Sequence, residues 1–126
     1  MLIDTDVLIW YLRGNQKAFD FIERQNGFTV SVITYMELVQ GMRDKQELNR
    51  FRKRFLEWNA SIMHLSEDIS TRALYIVEKF YLSHSLEMAD ALIAATALVT
   101  GLPLATCNDK HFRSITGIEL VPLKIS

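Results

Sequence analysis

Residues 91–99 read ALIAATALV, an apolar run broken only by Thr96. A helix built from such a run has no polar stripe to turn toward water, so it must be covered on most sides. The run is too short to cross a bilayer, and Gly101 and Pro103 follow it. The cover must then come from the rest of the chain. Its 126 residues suit a single domain spanning 1–126. Being 49% hydrophobic and 23% charged, the chain can build its own core. Cys107 is the only cysteine, which excludes an intrachain disulfide and a Cys-based zinc finger. The opening MLIDTDVLIW has no basic segment, and Asp4 and Asp6 interrupt its apolar residues, so no secretory signal is read there. The expectation is a cytoplasmic protein with no membrane association. A net charge of −1 counts against a nucleic-acid binder. However, six positive and two negative residues crowd the segment from Arg43 to Arg54.

Strand and helix signals alternate along the chain, the pattern of an α/β domain with a parallel sheet. Met1 to Ile3 is a first short strand, and an apolar helical turn runs on to about Leu12. Asn15 caps a helix to about Gln25, with Phe19 and Ile22 on one face, and Gly27 suits a left-handed position. Phe28 to Ile33 is β-rich. The T-x-x-E of Thr34 and Glu37 reads as a capping box that opens the next helix. Leu48, Phe51, Phe55 and Trp58 form a helical seam, with Arg50, Lys53 and Arg54 on the opposite face. Ser61 to Leu65 is a third strand. Ser66 to Ser83 is a helix that turns Ile69, Ala73, Ile76, Val77 and Phe80 inward. Asp90 opens the apolar helix. Leu102 to Thr106 and Ile118 to Leu123 are the last two strands.

Carboxylates and amides fall at the ends of these elements: Asp4, Asp6, Glu37, Asp90 and the pair Asn108–Asp109. Open parallel sheets bind ligands beyond the carboxyl ends of their strands, and one such rim can gather most of these groups. Each also has a plain structural explanation. Asp4, Asp6, Asn108 and Asp109 are good turn formers, Glu37 can close a capping box, and Asp90 can be an N-cap. Gathered together, however, carboxylates repel and raise one another's pKa, and a cation relieves this. Hard oxygen donors suit Mg²⁺ or Mn²⁺, which need only one or two carboxylates beside water and substrate phosphate. The matching chemistry is metal-assisted hydrolysis of a phosphodiester. His64 reads as structural and Cys107 as a small buried residue, while His111 is close enough to the Asn108–Asp109 loop to touch a phosphate. Arg50, Lys53 and Arg54 are candidate contacts to a phosphate backbone, which is RNA if the resemblance described next holds.

Four segments together resemble the motifs of PIN-domain ribonucleases, and most closely the VapC-type toxins of toxin–antitoxin modules. They are LIDTDVLI, T-x-x-E-L-x-x-G from Thr34 to Gly41, DALIAATAL from Asp90 to Leu98, and LATCNDKHF from Leu104 to Phe112. The resemblance implies a three-layer α/β/α fold with a parallel sheet in the order 3-2-1-4-5. It implies that Asp4 and Asp90 hold Mg²⁺ (or Mn²⁺), and that Glu37 binds metal through water or positions the nucleophile. Asn108, with Asp109 beside it, takes the fourth catalytic position, where the lost charge weakens the case for a second metal. Asp6, Thr5, Thr34 and Thr106 are supporting residues. The implied function is a Mg²⁺-dependent endoribonuclease toxin that cuts structured RNA to 5′-phosphate and 3′-hydroxyl ends. Its implied partners are a second copy of itself and a small VapB-like antitoxin.

Two other functions fit parts of the sequence. Asp4-Thr5-Asp6-Val7 after an apolar strand also resembles the start of haloacid-dehalogenase-type phosphatases, with Asp4 as nucleophile. That chemistry needs a well-placed lysine and a later acidic pair, for which ATCND is a partial match. Alternatively, Asn108 suits a degenerate domain that binds RNA or protein without catalysis.

Overall fold

The computed structural model describes residues 1–126. Five short parallel strands form one sheet in the order β3-β2-β1-β4-β5. They are β1 (Leu2–Ile3), β2 (Phe28–Ser31), β3 (Ala60–Met63), β4 (Leu104–Thr106) and β5 (Leu120–Pro122). Six helices connect and cover them: α1 (Thr5–Leu12), α2 (Gln16–Glu23), α3 (Val32–Gln40), α4 (Lys45–Glu57), α5 (Glu67–His84) and α6 (Met88–Thr100). This is the expected three-layer α/β/α arrangement with the expected strand order.

Alternation along the strands splits the core into two halves. Leu2 and Leu104 face α5 and α6, where Ile69, Ala73, Ile76 and the alanines of α6 pack with Phe112. Ile3 and Ala105 face the other way, onto Val7, Leu8, Ile22, Phe51, Phe55 and Trp58. Helix α6 is buried at Ala91 and from Ile93 to Ala97, as its lack of a polar face requires. Its one interior hydroxyl, Thr96 Oγ1, donates to the Leu92 carbonyl at 2.7 Å, so no polar group is stranded there.

Several boundaries differ from the sequence reading. Strand β2 ends at Ser31, not Ile33, because Ser31 is the cap: its side chain accepts from Ile33 N at 3.1 Å. Thr34 therefore opens no capping box. It lies fully buried inside α3, and Glu37 sits in the second turn rather than the first. Asp90 is likewise no N-cap. Glu87 holds that position without a side-chain bond, and Asp90 falls in the first turn of α6. Phe19 is exposed, stacked on Tyr11 at 5.4 Å rather than buried beside Ile22. Strands β3 and β5 are shorter than read. Gly27 is left-handed (φ +83), and a Cβ there would come within 3.1 Å of the Asn59 carbonyl.

The cap at Asn15 holds as read and accepts from Ala18 N, whereas Ser66, read as the first residue of its helix, is that helix's cap and accepts from Ile69 N. For α3 the structure assigns the cap to Ser31, so Ser31→Ala should lower stability by about 1 kcal/mol. A fall in urea midpoint at unchanged slope would show it; a variant as stable as the parent would return the cap to Thr34.

Candidate active site

The chain leaves β1 directly into α1, and Asp4 is the residue between them. Its backbone N–H still belongs to the sheet, donating to Ala105 O at 2.9 Å. Its side chain already belongs to the helix, where Oδ1 accepts from Thr5 N at 2.8 Å. The partial positive charge of the helix start favours the anion there. On the other side, Thr106 Oγ1, at the end of β4, donates to Asp4 Oδ2 at 2.8 Å and also approaches Asp6 Oδ2 at 3.4 Å. Asp6 accepts from the Cys107 backbone N–H through both oxygens, each at 3.2 Å. Adjacent strand ends thus bring two carboxylates, four and six residues into the chain, against one hydroxyl a hundred positions later.

Burial drives the Asp4 carboxyl up from 3.8 to about 7, and the neighbouring charge of Asp6 adds to the rise. The bonds from Thr106 and Thr5 N–H pull it back, and Asp90 raises it further. Asp6 is raised as well, chiefly by burial, against the pull of the Cys107 N–H; Asp90 again adds to the rise. Burial pushes the Cys107 thiol up, with the charges of Asp6 and Asp4 adding to it, to about 12, which leaves it protonated and unsuited to nucleophilic work.

Two further groups are tied into this rim. Thr5 Oγ1 lies 2.7 Å from Glu37 Oε1 and 2.9 Å from Thr34 Oγ1. Thr5 is the donor in both contacts, and its one proton serves either the Glu37 carboxylate or the Thr34 oxygen at a time. The T-x-x-E spacing thus places Thr34 and Glu37 against the same Thr5 hydroxyl, which orients Glu37. On the opposite side, His111 Nε2 stands 3.4 Å from Asp90 Oδ2, and His111 Nδ1 is 2.9 Å from Asn108 Nδ2. Asn108 N donates to Thr106 Oγ1 at 3.0 Å, which closes the circuit back to Asp4.

The remaining sequence candidates divide. Asp109 turns away to pair with Arg113, which lowers its pKa, and makes no bond to the rim. Arg50 and Arg54 line a groove whose wall includes Glu37, whereas Lys53 is exposed and does not line it. Asp6, ranked as a supporting residue from sequence, is the closest charged neighbour of Asp4. Arg13 was missed altogether: it lines the same groove from the end of α1. The spacing of Asp6, Ile9 and Arg13 along one helix face was the signal that could have found it.

No Lys or Arg pairs with Asp4, Asp6 or Glu37. No three acidic, imidazole or thiol groups converge closely enough to form a ready metal cage. A cage is not what Mg²⁺ demands, because one or two carboxylates with water and phosphate suffice. Buried, mutually repelling oxygen donors without a cation fit such an ion.

The PIN-domain family model matches residues 1–118. The chain belongs to the PIN-domain family. Within it, the chain is 37% identical over 118 residues to Ribonuclease VapC10 of Mycobacterium tuberculosis, covering 89% of this chain and 85% of that protein. It is 31% identical over 119 residues to Ribonuclease VapC1 of Methanocaldococcus jannaschii, covering 91% and 80%. Among solved structures it resembles a toxin–antitoxin complex from Klebsiella pneumoniae, with 31% identity, a TM-score of 0.74 and coverage of 95% and 94%. VapBC-1 from nontypeable Haemophilus influenzae shares the fold at a TM-score of 0.78 and 21% identity, covering 96% of each chain.

The raised Asp4 carboxyl has a measurable consequence. In the fold it titrates at about 7, against 3.8 for its ordinary value. The native state keeps a proton that the unfolded chain releases, so this contribution to stability is full below the lower value and is lost as pH rises through the higher. In EDTA, the urea midpoint should fall between about pH 4 and pH 7, by at most about 4 kcal/mol from this group. Asp4→Asn should flatten the fall and be the more stable protein at about pH 8. A parent protein with no fall in that window would contradict the buried acidic pair.

Proposed function

We propose that this chain is a divalent-metal-dependent endoribonuclease and the toxin half of a toxin–antitoxin pair. The observation that carries the reading is the acidic rim at the ends of β1 and β4, where buried Asp4 and half-buried Asp6, neither paired with a basic side chain, stand near Asp90. The names of the VapC relatives support ribonuclease activity, and the Klebsiella complex supports an antitoxin partner. Asp4 and Asp90 would hold Mg²⁺ or Mn²⁺, with Glu37 reaching it through water. When bound, the ion neutralises phosphate charge and makes a water molecule more acidic.

The protein's own groups do the rest. Thr106 and the Thr5 N–H fix both oxygens of Asp4, so its lone pairs point one way. Such outer partners typically matter by 10–100-fold in metal affinity or activity. Glu37, held by Thr5 through one oxygen, keeps the other free to orient the attacking water and take its proton. Water adds to phosphorus as the bond to the 3′ oxygen breaks, and the departing oxygen takes a proton from solvent, leaving 5′-phosphate and 3′-hydroxyl ends. His111 stands 3.4 Å from Asp90, and Asn108, against the other ring nitrogen, serves as a neutral group that positions His111. Asp109 stands at the mouth of the same loop, on Arg113, as an outer member of this set.

The whole of 1–126 acts as one nuclease domain in this reading. It works in the cytoplasm, where RNA is reached, and no helix is long and apolar enough to cross a membrane. The antitoxin is VapB-like and masks the rim. A homodimer is supported by the exposed apolar side chains Leu74, Tyr75, Tyr81 and Leu82 along α5, which a second copy would cover. The phosphatase reading needs a lysine beside Asp4, and no lysine pairs with it.

Cleavage of total RNA with Mg²⁺ should stop in EDTA. Asp4→Asn and Asp90→Asn should each lose at least about 100-fold in rate, beyond the range of an outer partner, while keeping the fold. Growth arrest on expression should disappear with them. Cleavage at the parental rate by either variant would refute the assignment, and failure of Mn²⁺ to bind near these residues would favour a binding module instead.

A further inference from the structure

Beyond β4 the chain makes a short 3₁₀ turn over Asp109–His111, with Asn108 just before it. The turn brings the Asn108 amide onto the His111 ring, Nδ2 standing 2.9 Å from Nδ1. The other ring nitrogen, Nε2, is buried and has no well-aimed hydrogen bond. Asp90 Oδ2 stands beside it at 3.4 Å. Asn108 is anchored through its backbone, where the N–H donates to Thr106 Oγ1 at 3.0 Å. The ring lies against Phe112, with 6.0 Å between centroids, and Phe112 is buried in the core. His111 therefore meets the acidic rim through one nitrogen, and what that nitrogen offers depends on where the ring's proton sits.

A neutral imidazole carries one N–H, and its other nitrogen offers a lone pair. A carboxylate only accepts. A lone pair on Nε2 would thus face another on Asp90 across 3.4 Å, away from water. The hydrogen therefore belongs on Nε2. Nδ1 is then an acceptor, which is what a donating Asn108 amide requires. Both contacts call for the same tautomer.

We infer that Asn108 decides which divalent ions the rim accepts, by fixing the tautomer of His111. The inference rests on the metal-dependent ribonuclease reading above. With its hydrogen on Nε2, His111 has no lone pair to give an ion held at Asp90. It acts there as a positioning residue, and the donors left to the ion are oxygens. Oxygen donors suit Mg²⁺ and Mn²⁺, whereas an imidazole nitrogen favours ions later in the first transition row. An aspartate at position 108 would accept from Nδ1–H instead. The lone pair would then move to Nε2 and open the rim to those later ions. The missing charge at Asn108 thus has a use of its own, because only a neutral amide can donate to the ring.

The tautomer is read first, in the metal-free parent protein labelled with ¹⁵N in its histidine rings. At about pH 8.5, above the ordinary imidazole range, the ring nitrogen shifts should show His111 with its hydrogen on Nε2. A hydrogen on Nδ1 would overturn the inference without any variant. Co²⁺ and Mn²⁺ are then titrated as probes, the first by visible absorption and the second by electron paramagnetic resonance. Asn108→Asp should shift the ratio of the two affinities toward Co²⁺ by about tenfold or more. It should also change the Co²⁺ spectrum as a nitrogen ligand enters. Adding His111→Gln to Asn108→Asp should return the ratio to the parental value. A ratio unmoved by Asn108→Asp, or moved equally without the imidazole, would overturn the role of the tautomer, while Mg²⁺-dependent cleavage by the parent would leave the nuclease standing. A parent that binds neither ion and cuts no RNA would overturn both.

Discussion

Asp4 and Asp6 share a space from which most water is excluded, and no basic side chain stands beside them. Such crowding opposes folding at neutral pH, because two like charges are desolvated together. The fold answers with dipoles rather than with a counter-charge. The start of α1 points an N–H at Asp4, the Cys107 N–H faces Asp6, and the Thr106 hydroxyl lies between them. These groups lessen the repulsion without abolishing it, and Asp4 still titrates at about 7. A lysine in the same place would have neutralised the pair and used up its capacity for an external cation. The unmatched charge is therefore the property on which any metal or phosphate chemistry here depends.

The strand order explains why that charge gathers where it does. Strand β1 is central, with β2 on one side and β4 on the other. The chain leaves β1 toward β2 on one side and later crosses from β3 to β4 on the other, so a crevice opens beyond the carboxyl ends of β1 and β4. Asp4 and Asp6 come from the segment leaving β1, and Thr106 and Cys107 from the segment leaving β4. The helix after β2 brings Glu37, and α6 delivers Asp90 on its way back into β4. That last delivery depends on the alanines of α6: small side chains let the helix lie close to the sheet and to α5, which brings its first turn to the rim.

Much of this was legible from residue order. The strand–helix alternation, the buried apolar helix and the Phe51–Phe55–Trp58 seam depend on local periodicity, and these features are where expected. The Thr34 cap was misread because Ser31 and Thr34 are both good caps three residues apart. Only the length of β2 decides between them, and that length is set by pairing with β3. Asp6 was undervalued for a related reason. Its closeness to Asp4 across a helix start follows from the tight β1–α1 junction, whereas residue spacing alone leaves an i, i+2 pair on different sides of a helix. The Arg54 and Lys53 distinction was equally hidden, since both lie on the exposed face of α4 and only the position of α1 says which one borders the groove.

A site built this way links stability to occupancy. Any cation that binds the native rim and not the unfolded chain stabilises the fold in proportion to the logarithm of its concentration over its dissociation constant. The same ion removes the proton that Asp4 otherwise holds near neutral pH, since binding requires the carboxylate. Metal affinity and folding stability should thus oppose each other in variants of this rim: neutralising Asp4 relieves the buried charge and discards the ligand in one step. Substitutions at Thr106 act differently. Its hydroxyl lowers the pKa of Asp4 and supports the carboxylate whether or not an ion is present, so its loss would weaken both. A variant series that separated along these two lines would distinguish a residue kept for its charge from one kept to hold that charge in place.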